Sequence, residues 1–383
     1  MKAANLEPVT RRPPLILAAL TLLAVLGFLG VNRLVHRFRE QEKALARHLY
    51  ERGQQAQNAG DPGAAIADFR AALSYNRENS QYQLSLARAL RDTGRTAEAE
   101  TRLISLWVRA PQEGAVNLAL GRLFAREQLL DKAVQYYHDA IYGFWPSDAD
   151  AKRRDTQLEL SEFLLQQKAY PQAQAELITM APGLPRDTNL KLRVAEMFAQ
   201  AHDYEHALAL YEDMLRIEHG SPAALAGAGE AAFQLGRYRT AQGYLQSAIQ
   251  ANPANYRPRQ LLQSATLILD ADPFGRRISE KVRAQRVRSA FLRAGKRLDD
   301  CAKSKEIDLN TQSAGVLPDL KTRWLQLKPK LANLRELGVG ETLDAMMDLV
   351  FEIEQQTETL CGSPVGLDEA LLLLSRDRAG VDR

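Results

Sequence analysis

From Leu15 to Val31 the chain is uncharged, and Pro13-Pro14 before it and Leu34-Val35 after it carry the run towards spanning length. A helix rises about 1.5 Å per residue, so roughly 17–20 such residues cross a ~30 Å hydrocarbon core. The pattern predicts a transmembrane anchor over residues 15–35, with a basic tail (1–14) before it and a linker (36–45) after it. A cleaved signal peptide shares the basic-then-apolar order but needs small residues at an A-x-A-like exit. The exit here reads Gly27-Phe28-Leu29-Gly30-Val31-Asn32-Arg33. Lys2, Arg11 and Arg12 precede the run, and Arg33, Arg37, Arg39, Lys43 and Arg47 follow it. A literal positive-inside count places the carboxyl side in the cytoplasm, yet large domains cross largely regardless of charge, so orientation stays open.

The middle of the chain repeats. Gly60-Asp61 and Gly94-Arg95 lie 34 residues apart, and Gly236-Arg237-Tyr238 returns the same turn later. Aligned on these turns, six units begin at Ala46, Ser80, Gly114, Arg154, Thr188 and Pro222. Every step is 34 residues except one of 40, which places a six-residue insertion around Ser147–Arg153. Position 8 of each unit is small (Gly53, Ala87, Gly121, Ser161, Ala195, Gly229), and position 20 is always alanine (Ala65, Ala99, Ala133, Ala173, Ala207, Ala241). Position 24 is bulky (Phe69, Leu103, Tyr137, Leu177, Tyr211, Leu245), and Pro111, Pro185 and Pro253 fall at position 32. This predicts a helix, a tight turn and a second helix. Small residues let the two backbones approach, the bulky one fills the groove beside them, and proline closes the second helix. One such unit cannot bury its apolar face alone, so neighbours must stack.

After the repeats, Arg257–Leu269 predicts a capping helix (256–272) closing the last apolar face. Beyond the turn at Asp272-Pro273-Phe274-Gly275, residues 273–383 predict three helices and a flexible tail. They run over about Arg277–Lys303, Pro318–Leu337 (kinked at Pro329) and Glu341–Cys361, and short connections make them antiparallel. In that arrangement Cys301 and Cys361, the only two cysteines, end neighbouring helices on the same side. A disulfide there is topologically natural and would need an oxidising compartment; two separate buried thiols are the alternative. The disulfide would favour a bacterial inner-membrane protein whose carboxyl part is periplasmic.

The repeat pattern resembles the tetratricopeptide repeat family over roughly residues 46–255, although position 4 carries Leu49, Gln83, Asn117, Gln157, Lys191 and Leu225 where that family favours Trp. The resemblance implies an all-α solenoid of about six repeats and a non-enzymatic scaffold that binds a protein or peptide segment in a concave groove, which the amino-terminal anchor would tether to a membrane. In that family the first helix of each unit lines the groove through positions 5, 9, 12 and 13. Position 9 reads Gln54, Arg88, Arg122, Glu162, Glu196 and Glu230, and Arg91 and Arg126 stand nearby. The groove is therefore expected to be basic in units two and three and acidic in units four to six. Arginines would take a carboxylate bidentately and glutamates a basic segment. The plainer reading is that Arg122 and Glu162 pair across their junction while the rest are solvated, such pairs contributing ~0–1 kcal/mol. The lysine/asparagine carboxylate clamp of some family members is not reproduced.

Composition narrows little by itself. Lys+Arg 50 against Asp+Glu 47 gives +3, and the hydrophobic share of 45% is ordinary for a globular chain. Locally, residues 276–305 hold 11 basic and 3 acidic residues, and residues 306–383 hold 8 and 14. The first helix of the carboxyl region could bind an anionic surface, lipid or another polyanion, with the repeats as a stalk; alternatively its charge is neutralised within the bundle. His202-Asp203-Tyr204-Glu205-His206 matches the H-x-x-E-H zinc-protease string. It straddles the turn of unit five, where a broken helix cannot hold two ligands on one face. With no phosphate-loop or nucleophile-elbow motif either, no catalytic residue, metal, cofactor, small-molecule substrate or nucleic-acid partner is expected.

Overall fold

A computed structural model describes residues 13–381 except 276, 310–314, 334–336 and 338–339. The chain divides into two compact units, Met1–Phe163 and Leu164–Arg383. The first contains α1 (Pro13–Asn58), α2 (Pro62–Tyr75), α3 (Ser80–Asp92), α4 (Thr96–Arg109), α5 (Gly114–Arg126), α6 (Leu130–Ile141) and most of α7 (Ala149–Gln166). The second contains α8 (Tyr170–Met180), α9 (Thr188–Gln200), α10 (Tyr204–Ile217), α11 (Pro222–Gln234), α12 (Tyr238–Ala251) and α13 (Arg257–Ala271). It continues with α14 (Glu280–Ser304), α15 (Val316–Leu327), α16 (Gly340–Cys361) and α17 (Leu367–Val381).

The helix pairs follow the predicted register. All six position-20 alanines are fully buried, and the position-24 residues are at most 3% exposed. Their contact needs the small residue at position 8. A Cβ on Gly53 would stand 2.7 Å from the Phe69 ring, one on Gly229 2.7 Å from Leu245, and one on Gly121 3.2 Å from Tyr137. Position 15 adds a regularity that composition hides. Gly60, Gly94, Gln128, Lys168, His202 and Gly236 all have positive φ, between 58° and 79°. Each ends the first helix of its unit in the left-handed conformation, and the next N–H closes a 6→1 bond of 2.9 Å onto the helix, as in Arg95 to Leu90 and Ala169 to Leu164.

Several elements differ from expectation. Residues 36–45, expected as a linker, are helical: α1 runs unbroken from the apolar segment into the first repeat. No proline, glycine pair or turn residue interrupts them. The insertion forms a loop after α6 and an extra first turn of α7. That loop is pinned where the Gly114 N–H donates to the Phe144 carbonyl at 2.9 Å and the Phe144 N–H to the Gln112 carbonyl at 2.7 Å. Pro329 does not kink a continuous helix; α15 ends at Leu327, and a 3-10 turn spans Lys328–Ala332. The expected flexible tail contains α17, a fourth helix of the carboxyl region. Its Ala370 joins Tyr238, Ala265 and Ile268 in one apolar cluster, so α17 helps to cover the end of the repeat stack. The rest of the bundle buries Phe291, Leu298, Trp324, Met346 and Val350, with the Trp324 indole donating to the Phe291 carbonyl at 2.9 Å.

Candidate functional site

In the first unit, α3 contributes Arg88 and Arg91, and α5 contributes Arg122 and Arg126. Arg122 is held bidentately at 2.7 and 2.6 Å by Glu159, which also accepts a 2.9 Å bond from the Tyr137 hydroxyl. The alternative pairing of Arg122 with Glu162 is thus corrected by one turn of α7. Glu159 is where both Arg122 and the position-24 tyrosine reach, so it satisfies two donors at once. Arg91 lies on Asp92 at 2.7 Å, and Arg126 donates to the Arg91 carbonyl at 3.0 Å.

Arg88 stands apart. Its buried Nε has no hydrogen-bond partner among the described residues. Its pKa is lowered, first by burial and then by the neighbouring charges of Arg122 and Arg91. Arg88 and Gln54, both at position 9, line a polar pocket of about 460 Å³ together with Tyr50, Gln81 and Ser85. Tyr50 stacks on Tyr82 at 4.5 Å, accepts from Gln54 and lies 3.1 Å from the Ser85 hydroxyl, which fixes that wall.

In the second unit the position-9 residues Glu196 and Glu230 line a separate pocket of about 450 Å³ with Tyr204, Tyr211 and Arg257. Arg257, at the start of α13, grips both oxygens of Glu230. Register alone identified the position-9 residues. It missed Glu159 and Arg257 and read Tyr137 and Tyr211 only as position-24 packing residues, because which turn of a facing helix a long side chain reaches is not encoded in the repeat period.

The histidine string is split as expected. His202 is the left-handed residue that ends α9, and Asp203 caps α10 by accepting the His206 N–H at 3.2 Å. Asp203 also takes His206 Nδ1 at 2.8 Å, and His202 Nδ1 lies 3.1 Å from the Tyr204 hydroxyl. No group of three or more His, Cys, Asp or Glu side chains placed to hold a metal ion occurs among the described residues. In the carboxyl bundle Cys301 and Cys361 are joined as a disulfide, with Cα atoms 5.8 Å apart.

Helix pairs, invariant position-20 alanines and recurring left-handed turns coincide with a family match: the tetratricopeptide repeat profile fits residues 56–123 and 198–265. Residues 56–123 and 198–265 are tetratricopeptide repeats. Similar solved structures include a tetratricopeptide repeat protein from Parabacteroides merdae (12% identity, 74% of this chain, 99% of that one, TM-score 0.38). YrrB, a tetratricopeptide repeat protein with an unusual peptide-binding site, is 16% identical over 50% of this chain and 96% of its own, with TM-score 0.39. The carboxyl-terminal part of a tetratricopeptide protein from Cytophaga hutchinsonii is 14% identical over 58% and 86%, with TM-score 0.44. No curated protein matches the chain. Tetratricopeptide arrays generally mediate protein–protein interaction and are typically non-enzymatic.

Proposed function

We propose that this tetratricopeptide protein is a membrane-tethered, non-enzymatic adaptor that captures an acidic segment of a partner protein on the arginine-bearing face of its first unit. The observation that carries the reading is Arg88, a half-buried guanidinium whose enclosed Nε has no hydrogen-bond partner among the described residues, set beside Arg91 and Arg122. A buried charge needs a counter-charge, and here only Arg122 has a bidentate carboxylate from a facing helix. An incoming carboxylate would complete the set.

The tether reading rests on α1. Leu17, Leu23, Leu26 and Phe28 are all exposed, and among the described residues this is the one helix long and apolar enough to span a bilayer. The disulfide supports an oxidising compartment, and hence a periplasmic carboxyl part on a bacterial inner membrane. The alternative reading, an anionic-surface binder built on α14, is weakened by how its arginines are used. Arg293 is held by Asp368, Arg297 donates to the Gly362 carbonyl, and Arg286 to the Asp272 carbonyl.

The test uses the full chain in detergent with a fluorescein-labelled Glu-rich peptide and its Gln counterpart. The Glu-rich peptide should bind more tightly and in a salt-dependent way. Replacing Arg88 and Arg122 together by Glu should weaken it roughly tenfold or more. Unchanged affinity and salt dependence in that variant would sink the proposal.

A further inference from the structure

Glu196 on α9 and Glu230 on α11 stand one repeat apart on the wall of the second unit's pocket. Tyr211 lines the same pocket yet is only 3% exposed. Its ring occupies the space that a Cβ on Gly227 would need, so a glycine at that point of α11 is what admits it. The Tyr211 hydroxyl has no hydrogen-bond partner among the described residues. It feels both carboxylates: burial raises its pKa first, and Glu196 and Glu230 raise it further. A phenol held this way offers an acceptor oxygen to whatever enters.

The pocket already shows what suits it. Arg257 places its guanidinium on Glu230, but the side chain is 63% exposed and arises at the very start of α13. One carboxylate is thus occupied by an arginine of the same chain. Glu196 has no cation on it among the described residues. The Tyr204 ring on the pocket wall adds an aromatic face, the surface a guanidinium stacks on.

We infer that this pocket receives an arginine or lysine side chain from a basic segment of a partner protein, and that Arg257 is its resident stand-in. The incoming cation is taken by the Glu196 carboxylate and the Tyr211 hydroxyl, and full engagement requires Arg257 to release Glu230. The inference rests on the reading of the repeats as a peptide-binding surface and names a second, opposite ligand chemistry on it. Because Arg257 competes for the same carboxylate, it sets a threshold. A weak cation leaves the internal pair intact, whereas a bidentate one displaces it.

The probe is butylguanidinium chloride, titrated into the full chain in detergent with ¹³C-labelled tyrosine rings. The Tyr211 and Tyr204 signals are assigned through Tyr211→Phe and Tyr204→Phe. Butylguanidinium should shift both signals saturably, and butylurea, its neutral counterpart, should not. Arg257→Ala should lower the midpoint about threefold to fivefold by removing the competitor, and Glu196→Gln, at an exposed position, should raise it by at least as much. Equal response to butylurea, no saturable shift in Arg257→Ala, or a midpoint unmoved by Arg257→Ala would each overturn the inference. Failure here with Glu-rich peptide still bound at Arg88 would leave the adaptor reading standing. Guanidinium binding without any capture of Glu-rich peptide would sink the adaptor reading and leave this one.

Discussion

At position 15 one backbone conformation is imposed on six different sequences. Three units supply glycine, for which the left-handed region costs little, and three supply Gln128, Lys168 and His202. A side chain there costs about 1–2 kcal/mol, tolerated because the turn is fixed by the two helices it joins. Lys168→Gly should therefore stabilise the protein by about 0.5–1 kcal/mol, after allowing for the looser unfolded chain, as read from the urea midpoint. Lys168→Val, at the same site, should do the opposite. A second residue-scale case is Glu354 on α16. It is fully buried, neither carboxylate oxygen has a hydrogen-bond partner among the described residues, and burial followed by the Asp368 charge pushes its pKa up to about 8. Arg297 and Arg293 pull the other way without prevailing. Since the folded-state pKa lies above the unfolded one, the folded state binds the extra proton between about pH 4.5 and 8. Stability is present below that window and is lost as pH rises through it. Glu354→Gln should flatten the profile and raise the thermal midpoint at pH 8.5 by an amount worth roughly 2–4 kcal/mol. An unchanged pH profile would mean that the carboxyl finds water or a donor in solution.

Among elements, α17 best separates what pattern conveys from what packing adds. Its Leu371–Leu374 run has no helical or strand period, so it announces no face. The acidic pair Asp368-Glu369 before it is a helix-start signal, visible in the sequence but easily outweighed. What makes the segment a helix is its environment. Ala370 meets the Tyr238, Ala265 and Ile268 cluster, Asp368 takes Arg293 at 2.6 and 2.7 Å, and Arg378 lies over the Phe274 ring. Removing residues 367–383 should expose that apolar face. The truncated chain should bind a hydrophobic dye such as ANS and lose hydrogen-exchange protection in α12 and α13 before the first unit changes. The continuity of α1 teaches the converse. Its residues 36–45 are polar and charged, which reads as linker, yet nothing among them stops a helix already nucleated on both sides.

For the molecule as a whole, the disulfide links chemistry to location. Cys301 and Cys361 are 60 residues apart, and a cross-link of that span removes about 4 kcal/mol of unfolded-chain entropy at 25 °C in the loop-closure account. Reduction with dithiothreitol should lower the unfolding midpoint of the second unit and leave the first unit's transition in place. A thiol assay on unreduced, denatured full chain should find no free thiol; two free thiols would remove the main argument for an oxidising compartment. Much of this architecture was legible in the sequence, since a helix pair that must stack is constrained at every repeat. Alanine at position 20, a small residue at 8 and a bulky one at 24 are steric requirements. So the repeat register followed from residues alone, because 34-residue spacing returns each residue to the same place in its helix pair. Tertiary structure decided which charges meet. Glu159 rather than Glu162 holds Arg122, Arg257 holds Glu230, and the Arg88 Nε has no hydrogen-bond partner among the described residues. Those outcomes depend on rotamers and on the height of one helix against the next, and a long side chain spans more than one turn. A sequence period determines a position to within a face, but only packing resolves it to a partner.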